Sequence, residues 1–124
     1  MLQTRICSFE SDPRGFVRAT MSRGAELEGR DAREALESTW AVAGDQRTRV
    51  LVDMRLIRSE TREAQQEFVS DYSATVCSAV GILIGSPVSR VIGNFFLRLN
   101  KHQVPTKLFN DGDAAVSWLL TNDP

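Results

Sequence analysis

Residues 78–109, SAVGILIGSPVSRVIGNFFLRLNKHQVPTKLF, read as one strand–helix–strand unit, and that reading decides the fold. SAVGILIG at 78–85 is an unbroken apolar run of strand length, which suits a strand covered on both faces. Ser86 stands where an N-cap belongs and Pro87 at the first helical position, where a missing N–H costs nothing. A helix is therefore expected from Pro87 to about Leu99. VPTKLF at 104–109 then returns as a second strand, and a helical crossover between two such strands makes them parallel neighbours.

Within that helix, Val88, Ile92, Phe95 and Leu99 superimpose within about 40° on a helical wheel, with Val91 and Phe96 widening the stripe. This stripe is expected to face the core. Arg90, Asn94 and Lys101 fall opposite, together with Gly93 and Leu97. Gly93, Phe96 and Leu97 are the candidate protein contact residues of this helix.

Upstream, RVLVDM at 49–54 is a second buried-strand signature. A helix should follow it from about Thr61 to Val76, with Ala64, Phe68, Tyr72 and Thr75 on one face. QTRICSF at 3–9 and GFVRATM at 15–21 flank Asp12-Pro13-Arg14-Gly15, a sequence with turn chemistry, and read as an antiparallel hairpin. Asp31, with Glu34 three positions on, is expected to cap a helix carrying Ala32, Leu36, Trp40 and Ala43 inward and ending at Gly44. Asp111 or Asp113 caps a last helix through Trp118 and Leu120. The order is ββαβαβαβα: an α/β fold with a mixed, mostly parallel sheet of about five strands and four helices.

At 124 residues the chain has room for one domain. Fifteen basic and sixteen acidic residues leave a formal charge of −1, so no global field draws the protein to nucleic acid or to an anionic membrane. Thirteen of the basic residues are arginine, but they are scattered from Arg5 to Arg98 rather than gathered in a patch. No apolar run approaches the ~20 residues of a membrane span, and MLQTRICSFESDPRG lacks the core of a signal peptide. A cytoplasmic protein without membrane insertion is expected.

Two cysteines seventy positions apart and one histidine, His102, do not make a transition-metal site, and Cys7 and Cys77 read as small apolar residues. No cofactor is expected. No serine or cysteine lies in a nucleophile elbow, and His102 has no acid or nucleophile beside it in sequence, so no catalytic constellation emerges. Asp53 and Asp111 could form a carboxylate pair across neighbouring strand ends. Ser86, Ser89 and Arg90 could hold an anion at a helix start, although GSPVSR lacks the second glycine and the lysine of a P-loop.

The strand order, the VLVDM strand followed by a Ser/Thr-initiated helix, and the segment GSPVSRVIGNFFLRLNK-x-x-VPTKLF-x-D together resemble the STAS-like (SpoIIAA-like) superfamily, closest to an uncharacterised branch of small stand-alone bacterial domains. The resemblance spans about residues 2–121. It implies a non-enzymatic regulatory or scaffold domain that acts through contacts with a protein partner. It also implies a phosphoswitch at the start of the helix after the central strand, where Asp53, Ser59 and Thr61 stand. The superfamily's Asp-Ser pair followed by a small residue and glycine is replaced here by Arg58-Ser59-Glu60-Thr61. A homodimer is expected from symmetry. The alternative is a domain binding a small apolar or amphiphilic, lipid-type ligand between sheet and helices, beside Phe68, Tyr72, Phe95 and Trp118.

Overall fold

The structure, a computed structural model, describes residues 1–99 and 104–124, without the side chains of Phe96 and Leu99. The inward role expected of Leu99, the contact role expected of Phe96, and Lys101 and His102 thus lie outside the described residues. The chain runs β1 (Leu2–Gln3), β2 (Cys7–Asp12), β3 (Phe16–Met21), β4 (Glu26–Leu27), α1 (Gly29–Val42), β5 (Thr48–Asp53), β6 (Ser59–Glu60), α2 (Arg62–Phe68), α3 (Asp71–Val76), β7 (Cys77–Leu83), α4 (Pro87–Leu99), β8 (Thr106–Phe109) and α5 (Gly112–Leu119).

The main sheet has the order β1-β2-β3-β5-β7-β8. Its first three strands are antiparallel, and β3, β5, β7 and β8 are parallel. The expected hairpin closes on Gly15, whose N–H donates to the Asp12 carbonyl at 2.9 Å and whose φ of +99° suits glycine. A two-residue parallel pair, β4 with β6, sets Leu27 opposite Glu60.

Because the parallel strands follow one another in chain order, right-handed crossovers must put every connecting helix on the same face. One core cluster accordingly joins Ala32, Ala35 and Leu36 of α1, Ala64 of α2, Val76 of α3 and Ile92 of α4 to Val50, Val80 and Ile82 of the sheet. Helix α5 covers the other face. There Ala115, Val116 and Leu119 pack on Phe16, Leu51, Ala79 and Leu83. Fully buried side chains such as Phe9, Phe16, Leu51 and Leu119 each contribute roughly 1.5–3 kcal/mol by leaving water.

The sequence reading and the structure differ locally. The sheet has six strands rather than about five, and the helix expected over 61–76 is two helices, because Ser70 caps α3 and accepts from Ser73 N at 3.3 Å. Helix α1 begins earlier than expected, after Glu28. Asp31 occupies its first turn and reaches back to accept the Glu28 N–H at 2.8 Å.

The largest correction concerns α4. Val88 and Phe95, expected inside, are 46% and 42% exposed, whereas Ser89, Ile92 and Gly93 face inward. The helix is turned by roughly a quarter revolution from the orientation that apolar size suggested. Its reason is close approach. A Cβ on Gly93 would stand 3.0 Å from Leu108 Cδ2 and 3.2 Å from Ile84 Cγ2, so the row Ser89–Gly93 sits where only small residues fit.

Candidate functional site

The polar residues at the carboxyl ends of the parallel strands are engaged in local structure. Asp53 Oδ1 accepts from Arg55 N and Nε at 3.1 and 3.0 Å, and its Oδ2 accepts from Arg55 Nη2 at 2.7 Å. Burial acts to raise the Asp53 pKa, and the Arg55 hydrogen bonds and charge outweigh it, holding the carboxyl below its ordinary value. Ser59 is exposed in β6, while Thr61 caps α2 by accepting from Ala64 N at 3.1 Å. Asp111 caps α5 and accepts from Asp113 N at 3.2 Å. The parallel strand order never reverses, so the sheet lacks the switch-point crevice in which ligands of open α/β sheets usually sit. Among the described residues, no three or more His, Cys, Asp or Glu side chains are grouped as metal ligands.

At the start of α4, three of the backbone donors an anion would use, those of Gly85, Ser86 and Ser89, already have acceptors. Ser86 Oγ accepts from Ser89 N at 3.0 Å, while Ser89 Oγ accepts from Gly85 N and Ser86 N at 3.0 and 2.9 Å. Ser89 is fully buried, Pro87 has no N–H, and Arg90 points to solvent.

The outer surface of α4 has a different character. Val88, Val91 and Phe95 recur at i, i+3 and i+7 and are 46%, 68% and 42% exposed. Arg90, Asn94 and Arg98 form the adjoining exposed row at i, i+4 and i+8. Neither arginine has a carboxylate partner among the described residues. Of the expected contact residues on this helix, Gly93 faces the sheet and Leu97 is half-buried. A simple signal marked the region in sequence: residues 72–110 contain no Asp or Glu, whereas Arg90, Arg98, Lys101 and Lys107 all fall within them.

A second feature lies between the sheet and helices α1–α3. A cavity of about 50 Å³ is walled by Phe9, Met21, Val50, Val52, Phe68, Val80 and Ile82, with Thr39, Ser73 and Cys77 as its few polar neighbours. Thr39 Oγ1 donates to the Ala35 carbonyl at 2.8 Å, so its hydroxyl proton turns to α1 itself. Glu60 also lines the cavity, and both its carboxylate oxygens are buried without a hydrogen-bond partner. Burial pushes its pKa up to about 7, and the polar side chain of Gln65 acts in the opposite direction. Arg33 ties α1 to α2 and α3. Its Nη1 meets Glu67 Oε1 at 3.1 Å, and its guanidinium lies 3.9 Å from the centre of the Tyr72 ring. Of the residues expected around an internal ligand, Phe68 lines this cavity, Phe95 is on the outer surface, and Trp118 packs on the opposite face with Phe109. Sequence carried no sign of Glu60, because a glutamate just before an N-cap threonine is ordinarily solvated.

A more open hollow of about 260 Å³ at the other end of the strands is lined by Gly15, Arg47, Thr48 and Arg49. The Arg49 guanidinium there donates to the carbonyls of Gly15 and Asn122 at 3.1 and 2.9 Å.

A hairpin-led, mostly parallel sheet with its crossover helices on one face defines an α/β domain of the SpoIIAA-like fold. The chain matches the crystal structure of an uncharacterized protein from the DUF3478 family with a SpoIIAA-like fold, from Shewanella loihica PV-4. The TM-score is 0.62 at 16% identity, over 96% of this chain and 98% of that one. Residues 10–122 match the family described as "Domain of unknown function (DUF7793)", and the chain belongs to that family. It is also similar to a protein with unknown function from Arthrobacter sp. FB24, at 31% identity over 90% of this chain and 97% of that one, with a TM-score of 0.36. No curated protein matches. Among the described residues, no helix is long and apolar enough to cross a membrane.

Proposed function

We propose that this protein is a non-catalytic interaction domain that engages an acidic protein partner through the outer surface of α4. The observation that carries the reading is the exposed row Val88, Val91 and Phe95 beside Arg90 and Arg98, which have no carboxylate partner among the described residues. Exposed apolar side chains gathered on one helix face, rather than scattered singly, mark contact surfaces. A partner of opposite charge gains orientation and association rate from that complementarity. Two copies meeting through α4 would instead bring Arg90 and Arg98 of both chains together, with no carboxylate on either helix to offset them. The inward row Ser89–Gly93 supports the same reading, since it fixes the helix tightly to the sheet and holds the outer rows in place.

A photo-crosslinking amino acid at Val91, introduced in the native host, tests it. The expected product is a covalent adduct with one protein, abolished by Phe95→Asp and weakened by Arg98→Glu. An adduct of twice the chain mass would replace the acidic partner by self-association. Adducts with lipid alone would overturn the reading.

A further inference from the structure

The carboxylate of Glu60 is out of keeping with its surroundings. Both of its oxygens are buried and unpartnered, on the wall of a cavity whose other contributors are almost all hydrocarbon. A carboxyl placed there without a partner costs free energy that an apolar residue of the same size would not, and native folds satisfy nearly all such groups. The neighbouring polar groups do not relieve it: Thr39 donates to its own helix, Ser73 hydrogen-bonds Cys77, and the Gln65 side chain, which acts to lower the Glu60 pKa, reaches neither oxygen with hydrogen-bond geometry.

We propose that this cavity is a binding site for a short-chain alkyl amine, whose hydrocarbon end occupies the apolar interior and whose ammonium pairs with Glu60. The walls select the class. Met21, Val50 and Ile82 offer nothing to the hydroxyls of a sugar or a nucleotide, and a carboxylate ligand would face Glu60 with like charge. An alcohol of the same length donates a single hydrogen bond, whereas an ammonium supplies three donors and the compensating charge. Size sets the chain length. An engineered apolar cavity of about 150 Å³ accommodates benzene, so about 50 Å³ admits on the order of two to four carbons.

Titration in the cavity is simple. Glu60 and Cys77 are the titratable side chains lining it among the described residues, and burial pushes the Cys77 thiol up to about 12. On the adjoining strand β4, Glu26 is paired with Arg58 at 3.7 Å on the surface. With Glu60 at about 7, amine affinity rises between pH 6 and pH 8 as the carboxyl ionises.

The test is a titration of the intact protein with n-propylamine, followed by methyl NMR at Met21, Val50 and Ile82, with n-propanol and propionate as controls. Saturable shifts are expected for the amine, with at least tenfold weaker binding of propanol and no detectable binding of propionate. Glu60→Gln is expected to lose at least tenfold in amine affinity. This variant keeps the side-chain shape and removes a buried charge, so its methyl spectrum also reports that the fold is retained. Three results would each overturn the proposal: no saturable shift with the amine, equal binding of propanol or propionate, or unchanged amine binding by a folded Glu60→Gln variant.

Discussion

Gly93 and Leu108 meet so closely that a Cβ on Gly93 would lie 3.0 Å from Leu108 Cδ2, with Ile84 Cγ2 at 3.2 Å. That contact fixes which side of α4 faces the sheet. Gly93→Val forces two methyl groups into the gap and should lower stability by about 1–3 kcal/mol, as overpacking does. Gly93→Ala should cost less, because the gain in helix propensity of about 1 kcal/mol opposes the smaller clash. Urea unfolding of both variants checks the order. A Gly93→Val protein as stable as the parent would show that the helix is free to ride outward.

This contact also marks where sequence reading succeeded and where it stopped. The bounds of α4, Pro87–Leu99, were legible because Ser86 and Pro87 announce the start and the apolar period carries the rest. Its rotation was not, because the helix carries two apolar arcs and the one with larger side chains appeared to be the buried one. The sheet takes the smaller arc because Ser89 and Gly93 allow a closer approach. Strands β1, β4 and β6 are two residues each, too short for any period to reveal. The Glu60 cavity is assembled from five or more segments distant in sequence, and its oddity is an absence of partners that only packing can disclose.

Asp31 joins the first hairpin to α1. It is 3% exposed, and Oδ2 accepts from Arg5 Nη2 at 2.7 Å and from Glu28 N at 2.8 Å. Asp31→Ala removes the acceptor for a helix-terminal N–H and for a guanidinium together, and should cost about 1–3 kcal/mol. Arg5→Ala should cost clearly less, because Arg5 is half-exposed and its loss leaves the Glu28 bond in place. Thermal melts of the two variants side by side check this, and equal losses would assign the whole effect to the ion pair.

Cys7 and Cys77 are both buried as free thiols, and burial pushes each up to about 12. The thiolate is the reactive species, so both should resist a disulfide reagent at pH 8 in the native protein and react fully in denaturant. Absorbance monitoring of thiol release gives the answer directly. Rapid reaction of one thiol under native conditions would show that the sheet edge or α3 opens readily.

Glu60 makes stability fall as pH rises. An unfolded glutamate titrates near 4.5 and this one near 7, so between those values the folded chain holds the proton more firmly than the unfolded chain does. The stability this confers is complete below pH 4.5, is lost as pH climbs through 7, and then stays level. A displacement of that size corresponds to roughly 3 kcal/mol. The Arg-paired Asp12 and Asp53 carboxyls are held low and act in the opposite sense, at more acidic pH, where the folded pKa values lie. The difference between the parent and Glu60→Gln therefore isolates Glu60. Urea unfolding at pH 5 and pH 8 should show the parent losing most of that stability relative to the variant. In the presence of propylamine, the loss at pH 8 should shrink, because a ligand that pairs with the ionised carboxylate stabilises the folded state it binds. A pH-independent difference between the two proteins would mean that Glu60 reaches water or a donor in solution, and the cavity would then lose its reason to hold an amine.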